Sequence, residues 1–149
     1  MDSTDIDERP KLYFKRVFNA APDKVWQAWV DPEALKRWFG PNEPDPVLVA
    51  ETDVRVGGRY RIVFRSNGEQ HEVSGVYREV DAPRKLVFTW AWKSTPERES
   101  LVIVELVALS QGTELHFRQE QFFDIEARDA HEKGWTGAFE KIARYLDSL

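Results

Sequence analysis

Imidazole is the side chain best suited to move protons or hold a metal near neutral pH, and this chain has three: His71, His116 and His131. None of them pairs at metal-ligand spacing and no converging ligand set is visible, so no metal site is expected. The chain has no cysteine, which excludes disulfides and thiolate chemistry. A serine nucleophile needs a base within hydrogen-bond reach, yet no serine adjoins a histidine and no G-x-S-x-G string occurs. Gly57-Gly58 lacks both the following helix and the lysine ending of a phosphate loop, so it reads as a turn. No catalytic residue and no cofactor is therefore assigned.

The remaining chemistry lies in single polar groups on apolar elements. His116 alternates with Leu115 and Phe117 and should face outward. His71 lies beside the Asn67-Gly68 turn and is expected in solvent. His131 falls one helical turn before Trp135; it reads as a helix-start residue, with a polar group at a pocket mouth as the alternative. Glu105 stands between Ile103 and Val107. On a concave face its carboxyl would sit in apolar surroundings and its pKa would rise. The uniformly apolar opposite face, Val102, Val104 and Leu106, favours an outward Glu105. Gln119 and Gln121 share the register of Leu115 and Phe117. They either hydrogen-bond a ligand at the open end of a sheet or form a frayed strand end.

The elements that must position these groups follow from hydropathy period. Trp135, Ala138, Phe139, Ile142, Ala143 and Leu146 recur at helical spacing over His131 to Leu149, with Lys133, Thr136, Glu140, Lys141, Arg144 and Asp147 opposite. This is an amphipathic helix. Alternation over residues 12–19 gives a first strand. Pro22, Asp31-Pro32 and Gly40-Pro41 punctuate two short helices carrying Trp26, Trp29, Leu35, Trp38 and Phe39. After a proline-rich loop at 41–46, six strands run from Val47 to Gln121, separated by Gly57-Gly58, Asn67-Gly68, Asp81-Ala82-Pro83, residues 94–99 and Gln111-Gly112. Tight turns between consecutive strands make an antiparallel meander, and helices segregated to one face make the class α+β. The 149 residues form one domain's worth of chain, with residues 1–10 expected to be disordered.

Aromatic residues make up 13% of the chain, six of them tryptophan. Leu86, Phe88, Trp90 and Trp92 share a strand face, as do Tyr60, Ile62 and Phe64, and Leu115 and Phe117. Laid against the helix stripe, these rings either fill a core or line a pocket for a flat apolar ligand. The net charge of −5, from 21 Lys and Arg against 26 Asp and Glu, argues against nucleic acid as a partner. The arginines Arg55, Arg59, Arg61 and Arg65 read as a solvated outer strand face. The polar, acidic start and the lack of any long apolar run lead to an expectation of a cytoplasmic protein with no membrane insertion.

Five strings carry a resemblance: FNAAPDKVWQAWVDPEALKRWFGP (18–41), VRVGGRYRI (54–62), SGVYREVDAPRKLVFTW (74–90), GTELHFRQ (112–119) and EKGWTGAFEKIARYL (132–146). In this order the chain resembles the SRPBCC (START-like) superfamily. Within it, the chain is most similar to the Aha-type activator homologues, named for a domain that stimulates the ATPase of a heat-shock chaperone. The resemblance implies a helix-grip fold: a seven-stranded antiparallel sheet curved around a long C-terminal helix, with two short helices between the first two strands. It also implies a cavity between sheet and helix. Superfamily members include lipid carriers, receptors, cyclases, aromatases and chaperone activators. The leading expectation is a domain holding an apolar, lipid-like or aromatic small molecule with Trp38, Phe64, Phe88, Trp90, Phe117, Gln119, Trp135 and Phe139. A cyclase- or aromatase-like enzyme using the same pocket is the second reading, with Glu105 its first candidate for a buried acid. A chaperone contact like that of the activators is the third.

Overall fold

A computed structural model describes residues 7–40 and 46–149. The proline-rich loop expected at 41–46 therefore lies outside the described residues except for Pro46, as do the first six residues of the tail. The elements are β1 (Leu12–Phe18), α1 (Pro22–Val30), α2 (Pro32–Trp38), β2 (Val47–Thr52), β3 (Arg59–Ser66), β4 (Glu69–Asp81), β5 (Lys85–Trp92), β6 (Ser100–Leu109), β7 (Gly112–Glu120) and α3 (Ile125–Asp147). The seven strands form one antiparallel sheet in the order β1-β7-β6-β5-β4-β3-β2. β2 to β7 are a meander, and β1 returns to pair with β7. The curved sheet around a long C-terminal helix is the helix-grip architecture.

Local chemistry sets the register. Asn67 and Gly68 both adopt left-handed φ, +54° and +79°, and a two-residue turn of this kind matches the twist of the flanking strands. It fixes Ser66 opposite Glu69 and Phe64 opposite His71. Further along β4, a Cβ at Gly75 would overlap the Thr89 carbonyl of β5. Two residues beyond it the pairing shifts at a bulge between Tyr77 and Glu79. Close backbone approach and a bulge together bend this part of the sheet. The Thr89 carbonyl also accepts the Tyr60 hydroxyl at 2.6 Å.

Asp31 joins the two short helices. Its backbone N–H closes α1 on Gln27, and its carboxylate accepts the Glu33 N–H at 3.1 Å to start α2. The long helix begins earlier than its apolar stripe indicates. Asp124 caps it by accepting the Ala127 N–H at 2.8 Å, so α3 gains six residues before His131. Most of those residues are exposed, Ile125 among them. Hydrophobic period therefore does not reveal them.

The interior divides into two halves. Toward β1, β6 and β7, rings interlock: Phe117 lies 4.5 Å from Trp135 and 5.4 Å from Phe139, centroid to centroid. Trp29 from α1 fills the space above them, 5.9 Å from Phe117 and 5.8 Å from Trp135. Burying each such side chain contributes roughly 1.5–3 kcal/mol. On β3, β4 and β5 the rings of Tyr60, Tyr77 and Phe88 also pack, but toward the Phe64–His71 end of these strands the layers part. Among the described residues no helix is long and apolar enough to cross a membrane.

Candidate functional site

Where the layers part, a cleft of about 940 Å³ opens between α3 and the β3–β4–β5 end of the sheet. Period two on the strands supplies Phe64, His71, Trp90 and Trp92; period 3.6 on α3 supplies His131, Gly134, Trp135 and Ala138; Phe39 closes the inner end after α2. The charged lining residues Glu69, Glu72 and Lys93 lie at the strand ends. Glu72 is held by Arg61 at 2.9 Å, and this guanidinium lowers its carboxylate pKa. Arg61 also reaches Glu51 at 3.4 Å, so it is paired across the outer strand face.

His131 is the best-anchored polar group in the cleft. Its Nδ1 donates to the Ala127 carbonyl at 2.7 Å, one turn back along α3. That leaves Nε2 as an acceptor, and two indole N–H groups donate to it: Trp92 at 3.0 Å and Trp90 at 3.3 Å. Burial pushes its pKa below the ordinary histidine value, opposed only by the Ala127 bond. The neutral imidazole therefore clasps two tryptophans of β5 to the helix. Of the two readings of this residue, the structure takes the one at a pocket mouth.

His71 corrects an expectation. It is not out in solvent beside its turn. The Phe64–His71 register turns it onto the concave face, half-buried, with its ring 5.6 Å from Phe64 and 6.1 Å from Trp92. Lys141 corrects another. Placed with the polar side of the helix by its spacing, it is instead buried, and its ammonium donates to the Phe39 and Gly40 carbonyls at 3.3 Å each. That contact ties α3 to the end of α2 and holds Phe39 in the cleft wall.

Of the eight residues expected to contact a ligand, Phe64, Trp90 and Trp135 line the cleft. The other five stand behind it. Trp38 is fully enclosed, with its indole N–H donating to the Ala28 carbonyl at 2.7 Å. Phe117 and Phe139 belong to the interlocked half. Phe88 borders only a small void of about 20 Å³ shared with Trp29, whose indole N–H is the one buried side-chain polar atom without a partner among the described residues. Gln119 is buried within β7 and is not a frayed strand end. Its amide donates to the Ser100 hydroxyl at 2.9 Å and its carbonyl accepts the Trp135 N–H at 2.8 Å. It braces Trp135 from behind. Gln121 lies beyond β7 with φ +68° and takes no part in the cleft wall.

The carboxylate that the enzyme reading put first does not face the cleft. Glu105 is on the outer face, opposite Lys85 and His116. His116 bonds there to the Tyr13 hydroxyl and to Glu114 at 2.7 Å. Among the described residues no group of histidine and carboxylate side chains could hold a metal ion.

Residues 19–147 match the family model described as activator of Hsp90 ATPase homolog 1-like protein. Comparison with curated proteins gives no match. Among solved structures, a protein of Chromobacterium violaceum is 28% identical with a TM-score of 0.82, covering 92% of this chain and 97% of its own. A protein of Nitrosomonas europaea is 26% identical with a TM-score of 0.81, covering 96% and 97%. The AHSA1 protein of Silicibacter pomeroyi is 28% identical with a TM-score of 0.79, covering 93% and 98%. With its model spanning most of the sequence and these folds superposing along nearly their whole lengths, the chain belongs to the activator of Hsp90 ATPase homolog 1-like family.

Proposed function

We propose that this protein binds an apolar small molecule in the cleft between α3 and β3–β5, and that it is a binding domain rather than a catalyst. One observation carries the reading: the aromatic interior is tightly interlocked on one side and stands open on the other, leaving about 940 Å³. That volume lies at the upper end of the range of small-molecule sites. Open apolar surface forgoes packing, so a space walled by rings is costly to leave unfilled. Gly134 supports the same reading. It lies inside α3 and on the cleft wall, where a glycine destabilises the helix by roughly 0.5–1 kcal/mol relative to alanine. Its lack of a side chain keeps the space wide. The polar groups present hold the walls in place: the neutral His131 clasp, Gln119 behind Trp135, and Lys141 behind Phe39.

The test is titration with a panel of lipids and polycyclic aromatics, read by quenching of tryptophan emission, alongside the variant Gly134→Leu. A binder should saturate the wild type with quenching. In Gly134→Leu, whose side chain fills the cleft, affinity should fall by about tenfold or more, equivalent to about 1.4 kcal/mol. Unchanged affinity in a folded Gly134→Leu would place the ligand elsewhere.

A further inference from the structure

The chemistry of the walls narrows the ligand. Every large apolar side chain lining the cleft is aromatic. Phe39, Phe64, Trp90, Trp92 and Trp135 supply the surface, and no Leu, Ile, Val or Met is among the described lining residues. An acyl chain is matched by aliphatic side chains. Ring faces reward another flat ring, each offset or edge-on pair adding roughly 0.5–1.5 kcal/mol beyond the area it buries.

Among the described residues the inner wall also lacks a free charge. Glu69, Glu72 and Lys93 stand on the rim, and Glu72 is bound to Arg61. The nearest buried cation, Lys141, turns its ammonium to the Phe39 and Gly40 carbonyls and does not line the cleft. Carrying an ionised group past the rim would leave it without a counter-charge, which is strongly unfavourable. The part of the ligand that enters is therefore uncharged.

The two histidines in the wall are not equivalent. Both ring nitrogens of His131 are engaged, one by the Ala127 carbonyl and one by two indoles. His71 makes ring contacts with Phe64 and Trp92 but no hydrogen bond to the described residues. It is half-buried near the mouth, beside the exposed Glu69 and Gln70. A neutral imidazole has one donor and one acceptor nitrogen, and a hydroxyl is the complementary partner because it both donates and accepts.

We infer that the cleft takes an uncharged, flat polycyclic aromatic molecule bearing a hydroxyl group, with its rings among Phe39, Trp90 and Trp135 and its hydroxyl on His71. This rests on the binding reading above and goes further in naming the ligand class and the residue that selects it.

Three dyes of one shape separate the possibilities: hydroxypyrene, methylpyrene and pyrenesulfonate, each titrated into the full chain at neutral pH by energy transfer from tryptophan. Hydroxypyrene should bind about fivefold tighter than methylpyrene, the effect of one net hydrogen bond, and pyrenesulfonate more weakly than either. The hydroxyl preference should vanish in His71→Phe and persist in His71→Gln, which keeps a donor and an acceptor. Equal binding of hydroxypyrene and methylpyrene, a preference surviving His71→Phe, or tightest binding of pyrenesulfonate would each overturn the inference while leaving a ligand in the cleft. If none of the three binds, this inference fails, and the binding reading stands or falls separately on the lipids of the panel.

Discussion

Protonation of His131 would set an N–H against two indole N–H groups, because Nε2 is the acceptor shared by Trp90 and Trp92. Its pKa in the folded chain is lowered by burial, and the sign of the consequence follows. Unfolded, the imidazole titrates near 6.5; folded, it takes up its proton only at lower pH. Between these values the unfolded state holds more protons, so stability falls as pH falls. The contribution of His131 is fully present above about pH 6.5 and is lost on acidification toward the folded value. Melting from neutral to about pH 5 should lower Tm by a few degrees more in wild type than in His131→Gln, which accepts from the indoles without titrating near that range. Parallel melting curves would show that the clasp is not coupled to pH. Sequence places His131 at a helix start or a pocket mouth but conceals the clasp, because its indole partners lie 41 and 39 positions away. Gln119 is half legible for a similar reason. Strand period gives its inward direction, whereas its partners on β6 and α3 depend on how those elements meet.

The elements themselves were legible wherever a rule acts locally. Asn67-Gly68, Asp31-Pro32 and the alternation of β3 and β5 each carry their own signal, and the strand order follows from short turns. What local signals miss is set by pairing. His71 looks like a turn neighbour until the hairpin register places it opposite Phe64. Lys141 looks like surface until α2 ends beside α3 and offers two carbonyls. The start of α3 is not legible from hydropathy because its first turns are mostly exposed and carry no buried stripe, although Asp124 is an N-cap residue by type. Its carboxylate satisfies the Ala127 N–H, one of the donors a helix start leaves without an intrahelical partner. Asp124→Ala should therefore cost about 1 kcal/mol in urea unfolding. It should also speed hydrogen exchange in the first turn of α3 without altering exchange near Trp135, which the sheet holds. Loss of protection along the entire helix would mean that α3 docks as one unit and that the cap governs its docking.

Across the whole molecule, one sheet serves two purposes. Its β1–β7–β6 side is closed by Phe14, Phe117 and Phe139 with Trp29 above them. Its β3–β4–β5 side is packed around Tyr60, Tyr77 and Phe88 and left open toward the Phe64–His71 end. Such a division assigns stability to one half and recognition to the other, and local opening free energies should differ accordingly. Amides of β7 and β6 should exchange only by global unfolding, while those of the β3–β4 hairpin should open locally, since the cleft removes packing from one of its faces. A ligand that binds only the folded state at a hundred times its Kd stabilises that state by about 2.7 kcal/mol. If it sits in the cleft, added protection should appear first in the β3–β4 hairpin, in β5 around Trp90 and Trp92, and in α3 around Gly134, all of which touch it. Amides that already exchange by global unfolding should slow together, by no more than that global increment. Hydrogen exchange with mass spectrometry, with and without a ligand found by titration, measures both quantities. Protection concentrated in β1 and β7 instead would locate the ligand on the packed side, and the division between the two halves would then be wrong.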